Sequence, residues 1–138
     1  MKSETTKKLE QAYEIYRRRG AHSDADLDKA AEALMGQGLW SLSNIALILG
    51  TNMRQVTQRV SKSDSTGGRL NPATLELIVE ESRLADLGES NPLLTAKIAE
   101  MGTSWTFLAK LLGQTQGQVR YRLKKAAQMR AEGAGRDG

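Results

Sequence analysis

The stretch "LGQTQGQVRYRLKKA", residues 112–126, decides how this chain is read. A glycine follows an apolar run. Polar residues come next, and then a valine set among arginines, lysines and one tyrosine. An earlier stretch, "LGTNMRQVTQRVSKS", residues 49–63, has the same frame. Shifting residues 45–60 by 63 lays them on 108–123, and six of the 16 positions are identical: Ala46/Ala109, Leu49/Leu112, Gly50/Gly113, Gln55/Gln118, Val56/Val119 and Arg59/Arg122. Three more pairs exchange aliphatics: Ile45/Leu108, Ile48/Leu111 and Val60/Leu123. Coincidence of glycine and valine as well as aliphatics marks an internal repeat.

Each residue of the frame has a physical reason. Ala46 and Ala109 sit where one helix crosses the next, and a larger side chain would push the two apart. Gly50 and Gly113 fall at the turn, where a left-handed conformation costs glycine nothing sterically. Val56 and Val119 point from the second helix back into a small core. Asn52 and Thr115 are good N-caps, each followed three residues later by glutamine (Gln55, Gln118), a capping-box pattern in both copies. A helix therefore starts directly after a tight turn, with its N-terminal end free. That is the geometry of a helix-turn-helix, whose second helix enters the major groove of DNA.

The rest of the chain reads as helix. Apolar residues recur at three and four positions, and alternation of period two is absent. Helices are expected over about Glu4–Arg18, Ser23–Gly36, 42–49, 53–62, 72–86, 92–101, 105–112 and 116–130. Ser23 is an N-cap with Asp24 and Asp26 in the first turn. "NPAT" and "NPLL" each place Asn as cap and Pro at the first helical position. "SKSDSTGGRLNP", residues 61–72, clusters Ser, Asp, Gly and Pro and reads as an interdomain linker. The expected architecture is all-α: two tandem units of about four helices, 1–66 and 67–130, each ending in a helix-turn-helix. The tail 131–138, "AEGAGRDG", reads as disordered.

Composition narrows the function. The 138 residues are 26% charged and 39% hydrophobic, suited to a globular protein. With aromatics at 4%, the core must rest on aliphatic side chains. No apolar run approaches the roughly 20 residues of a membrane span, so no membrane partner is expected. "MKSETTKKLEQ" has no apolar segment of a signal peptide. The chain has no cysteine, which excludes disulfides and thiolate metal sites and suits a reducing cytoplasm, bacterial nucleoid or host cytoplasm. Net charge is only +4, but its distribution is uneven. Gln114 to Arg130 holds five Lys/Arg and no acid, whereas Glu76 to Glu100 holds six acids against Arg83 and Lys97. A basic patch on one element can bind a polyanion whatever the average charge.

"FLAKLLGQTQGQVRYRLKKA" resembles the helix-turn-helix of sigma-factor region four and of related bacterial and phage repressor-type regulators. The shared pattern is carried by Leu108, Ala109, Leu112, Gly113, Thr115, Val119, Arg122, Leu123 and Ala126. The first copy fits less well: Asn52 replaces the Ser/Thr, Val60 the Leu, and the final Ala is missing. The resemblance covers about 20 residues per copy and implies fold and DNA binding. It does not imply a complete sigma factor, since the other regions are absent.

On this reading the outward residues of the second recognition helix are Gln116, Gln118, Arg120, Tyr121, Lys124 and Lys125. Gln pairs bidentately with adenine and Arg with guanine. Lys124, Lys125 and Arg130 are placed for phosphates. The first copy offers Met53, for apolar contact, with Arg54, Thr57, Gln58 and Lys62. Arg59 and Arg122 are expected to face partly toward the protein and reach phosphates along their length. Trp40 and Trp105 read as core anchors, His22 as solvated, and Glu80–Glu81 as part of an ordinary solvated helix. No metal-binding, phosphate-loop or nucleophile motif is present, so neither enzyme activity, cofactor nor small-molecule ligand is expected. The partner expected is double-stranded DNA in a sequence-specific complex, in transcriptional repression of phage or mobile-element type. Two other readings stand beside it. One is a protein-interaction or adaptor module that contacts RNA polymerase or another regulator, and the other is a DNA-bending or recombination accessory factor.

Overall fold

The computed structural model describes residues 2–59 and 68–137, with side chains as far as Gly133. Among the described residues it is all-α, with eight α-helices and no strand. They are α1 (Glu4–Arg17), α2 (Asp24–Gly36), α3 (Leu42–Leu49), α4 (Met53–Arg59), α5 (Leu75–Asp86), α6 (Pro92–Glu100), α7 (Trp105–Leu112) and α8 (Gln116–Asp137), with a 3₁₀ turn at Pro72–Thr74 before α5. No described helix is long and apolar enough to cross a membrane.

The sequence punctuation acts as expected. The Ser23 hydroxyl accepts from Asp26 N and the Asp26 carboxylate from Ser23 N, closing a capping box. Asn71 and Asn91 each cap a helix that opens on proline. α8 differs from expectation, since its backbone stays helical to Asp137 instead of stopping near 130. Ala131 and Glu132 favour helix, Gly133 and Gly135 disfavour it, and no proline interrupts the run.

The halves do not sit apart on a tether. One continuous core runs from Leu9, Leu34, Ile45, Ile48 and Val56 to Leu75, Ile78, Ile98, Leu108 and Leu111. Its seam is α1 against α5. There Thr6 Oγ1 lies 2.6 Å from Ser82 Oγ and donates to Asp86 Oδ2 at 2.6 Å, while Ser3 N donates to the same oxygen at 3.1 Å. Trp40, 1% exposed, meets Phe107 edge to face at 6.1 Å. Its indole donates to Gln37 Oε1 at 2.8 Å, and the Gln37 amide donates to Lys8 O and Gln11 Oε1. Part of the expected linker lies in this seam: Leu70 is buried, Asn44 Nδ2 donates to Gly68 O at 3.0 Å, and Ser104 N donates to Arg69 O at 3.0 Å. Residues 60–67 of the expected linker lie outside the described residues.

α1 also links the two turns of the repeat. A Cβ at Gly113 would lie 3.7 Å from Thr5 Oγ1, and one at Gly50 only 3.1 Å from Arg19 Cβ. Thr5 is at the start of α1 and Arg19 is just past its end, so the turns abut opposite ends of one helix.

Candidate nucleic-acid interface

The two repeated helix pairs are built alike. α3 and α4 are joined by Gly50, Thr51 and Asn52, and α7 and α8 by Gly113, Gln114 and Thr115. Gly50 (φ 71°, ψ 34°) and Gly113 (φ 66°, ψ 30°) are both left-handed. The residue after each glycine donates back to the crossing alanine: Thr51 N to Ala46 O and Gln114 N to Ala109 O, both at 2.9 Å. Each helix therefore ends in a Schellman closure, which stops the helix and redirects the chain. Val56 and Val119 are fully buried beneath the second helix of each pair, and Ala46 and Ala109 are buried at the crossings.

The caps then diverge. Gln118 N donates to Thr115 Oγ1 at 3.1 Å and Thr115 N to Gln118 Oε1 at 2.8 Å, so the second capping box is complete. In the first copy Gln55 N donates to Asn52 Oδ1 at 2.9 Å, but Gln55 Oε1 accepts from Arg59 at 2.7 Å rather than returning to Asn52. The box expected there is half made, because a guanidinium one turn on is the stronger donor.

On α8, Gln116, Gln118, Arg120, Tyr121, Lys124 and Lys125 are all exposed, Tyr121 at 67%. Buried Val119, Arg122 and Ala126 mark the opposite stripe. Gln118 has its carbonyl oxygen committed to the cap, which leaves its amide NH₂ to offer. The Arg120 guanidinium lies 5.6 Å from the centre of the Trp105 ring. Trp105 is thus half-buried and supports an outward arginine as well as the core. Arg130 pairs with Glu100, whose carboxyl is held below its usual range by that hydrogen bond. Its charge is partly spent within the protein. Arg120, Lys124 and Lys125 have no acidic partner within ion-pair distance among the described residues.

On α4, Met53, Arg54, Thr57 and Gln58 are exposed, and the Thr57 hydroxyl donates to Arg54 O. Lys62 lies outside the described residues. Arg59 Nε sits 2.9 Å from Asp28 Oδ1, and a second nitrogen lies 3.7 Å from Asp24. Those carboxylates place negative charge beside α4; the acids that meet α8, Glu81 and Glu100, pair with Arg122 and Arg130, and neither pairs with Arg120, Lys124 or Lys125.

Three expectations need correction. Glu81 is only 3% exposed and is not on a solvated face. Arg122 faces inward: its Nε donates to Glu81 Oε1 and to Thr95 Oγ1, both at 3.1 Å, and its NH2 group donates to Gln114 Oε1. It is too committed to reach a phosphate. Burial pushes the Glu81 carboxyl up, outweighing the Thr95 hydroxyl and the Arg122 charge that act the other way. These partners come from α5, α6, α8 and the turn, so no local pattern exposed them. His22 is half-buried rather than free, with Nε2 3.2 Å from Ile15 O.

A groove of about 620 Å³ lies beside the exposed face, between the start of α6 (Ser90, Pro92) and Thr115, Gln118, Tyr121 and Lys125. It is open to solvent and adjoins the exposed face of α8. In comparisons with protein families, curated proteins and solved structures, the chain matches none.

Proposed function

We propose that this chain binds double-stranded DNA sequence-specifically through two helix-turn-helix pairs, α3–α4 and α7–α8, in transcriptional repression of phage or mobile-element type. The observation that carries the reading is the exposed face of α8. Behind a left-handed glycine turn it presents Gln116, Arg120, Tyr121, Lys124 and Lys125 with no acid among them. Arginine and glutamine suit base edges, and lysines one turn on suit phosphates. The second pair dominates affinity, because Asp24 and Asp28 beside α4 repel the DNA backbone. RNA polymerase or another regulator is a further partner on this reading.

The test is binding to random-sequence duplex at several salt concentrations. Affinity falls with salt, and replacing Lys124 and Lys125 by Ala lowers the slope by about one per lost phosphate contact. A salt-independent or undetectable interaction would exclude DNA. It would favour the second reading, a protein docking face, for which the 67% exposure of Tyr121 beside the groove is the supporting observation.

A further inference from the structure

A repeated chain can arrange its halves in two ways. Translation keeps equivalent helices parallel and brings unlike surfaces together. A two-fold brings the same surface of each half together and sets equivalent helices that lie across the axis in opposite senses. Here α1 and α5 are the first helices of their halves and pack on each other. Ser3, just before α1, meets Asp86, and Thr6, one turn further on, meets Ser82, one turn back toward the start of α5. The two helices therefore run in opposite senses. A second, independent observation lies at Gly68. Asn44 and Phe107 are equivalent under the shift of 63, and both converge there: Asn44 Nδ2 donates to Gly68 O, and a Cβ at Gly68 would fall 2.8 Å from Phe107 Cβ. Like positions meeting at one point mark an axis between the halves.

We infer that this chain is an intramolecular two-fold pair, and that its DNA target is two half-sites in inverted orientation, at fixed spacing, filled by one chain. This rests on the DNA-binding reading above. Operator symmetry follows protein symmetry when recognition helices are paired about a two-fold. The arms differ in base content, because Met53, Thr57 and Gln58 of α4 stand where α8 has Gln116, Arg120 and Tyr121. A wild-type site therefore hides its symmetry. The spacing is fixed because the halves share one core and α1 abuts both turns.

The experiment is selection of bound sequences from random duplex, with the full-length wild type and with a triple variant, Met53→Gln, Thr57→Arg, Gln58→Tyr. All three positions are exposed, so the core is untouched. The variant is expected to select an inverted repeat that contains the α8-specific arm twice. A direct repeat, or a single unrepeated element, overturns the inference and leaves DNA binding standing. If wild type enriches no sequence, the DNA-binding reading itself fails and takes the inference with it. A second measurement needs no variant. One base pair inserted between the arms of the wild-type site moves them by about 3.4 Å and turns them by about 35°. The affinity should fall at least tenfold, and an unchanged affinity would mean that the halves move freely.

Discussion

Arg122 Nε lies 3.1 Å from Glu81 Oε1, 41 residues earlier in the chain, and both groups are buried beneath α8. Removing one partner of such a pair leaves the other charge uncompensated in the interior. Arg122→Ala should cost about 3–5 kcal/mol in urea denaturation. Glu81→Gln should cost less, since an amide oxygen still accepts from Arg122 and Thr95 and the guanidinium keeps its bond to Gln114. Equal losses would mean that packing, not charge, dominates the site.

The pH dependence of Glu81 has a definite sign. Burial raises its carboxyl above the ordinary value, so the folded protein holds a proton that the unfolded chain has released. Where the native state binds more protons, stability falls as pH rises. This slope should begin near about 4.3, the value of an unfolded glutamate, and extend upward to the raised value. Asp86 acts in the opposite direction: the Thr6 hydroxyl and Ser3 lower its carboxyl, so its contribution is lost as pH falls below the ordinary aspartate range. Urea titrations across this range should show Glu81→Gln removing the first slope and Asp86→Asn the second. A wild-type slope that survives Glu81→Gln would assign it elsewhere.

Most of the fold was legible locally. Glycine, asparagine and proline punctuate the chain, and six of the eight helices begin and end within a residue or two of where those residues place them, as far as they are described. A 3₁₀ turn opens the fifth, which the Asn-Pro signal alone does not distinguish. The exposed residues of α8 followed from period and charge. What escaped was every relationship between distant positions. Thr6 and Ser82 look like surface residues, yet they lie in the seam. Arg122 and Arg130 look like phosphate ligands until Glu81 and Glu100 are brought to them by α5 and α6. A basic helix shows how much charge it carries, but folding decides how much of it is already paired.

Left-handed backbone at Gly50 and Gly113 should make alanine costly at both. A Cβ in that region is expected to cost about 1–2 kcal/mol, and more at Gly50, where Arg19 Cβ stands 3.1 Å away. Gly117 is the control. It is helical, and a Cβ there meets only Thr115 Oγ1 at 3.8 Å. Gly117→Ala should stabilise the protein by about 0.5–1 kcal/mol. Thermal melts of the three variants separate turn geometry from general intolerance to change.

Truncation tests the shared core. Deleting residues 1–66 removes α1 from α5 and Trp40 from Phe107, exposing Leu75, Ile78 and Phe107. The remaining fragment is expected to lose cooperative unfolding. A sharp urea transition from that fragment would mean that the second half folds alone.

Arg120 and Lys124 lie one turn apart and should behave differently on DNA. Arg120→Ala should cost about 1–3 kcal/mol at the selected site and relax preference at one or two positions. Lys124→Ala should weaken all sequences alike. Competition binding against a panel of single-base variants distinguishes them, and a uniform loss for Arg120→Ala would make it a phosphate ligand.

A flexible tether sets only how far apart two modules can reach. A helix wedged between them also sets how close they can come. Between Thr5 and Arg19, α1 spans about 21 Å at 1.5 Å per residue. It therefore acts as a caliper whose setting is the number of residues in one helix. Inserting or deleting residues there would reset the gauge between the turns and rotate one end against the other by about 100° per residue, so length and phase cannot be adjusted separately.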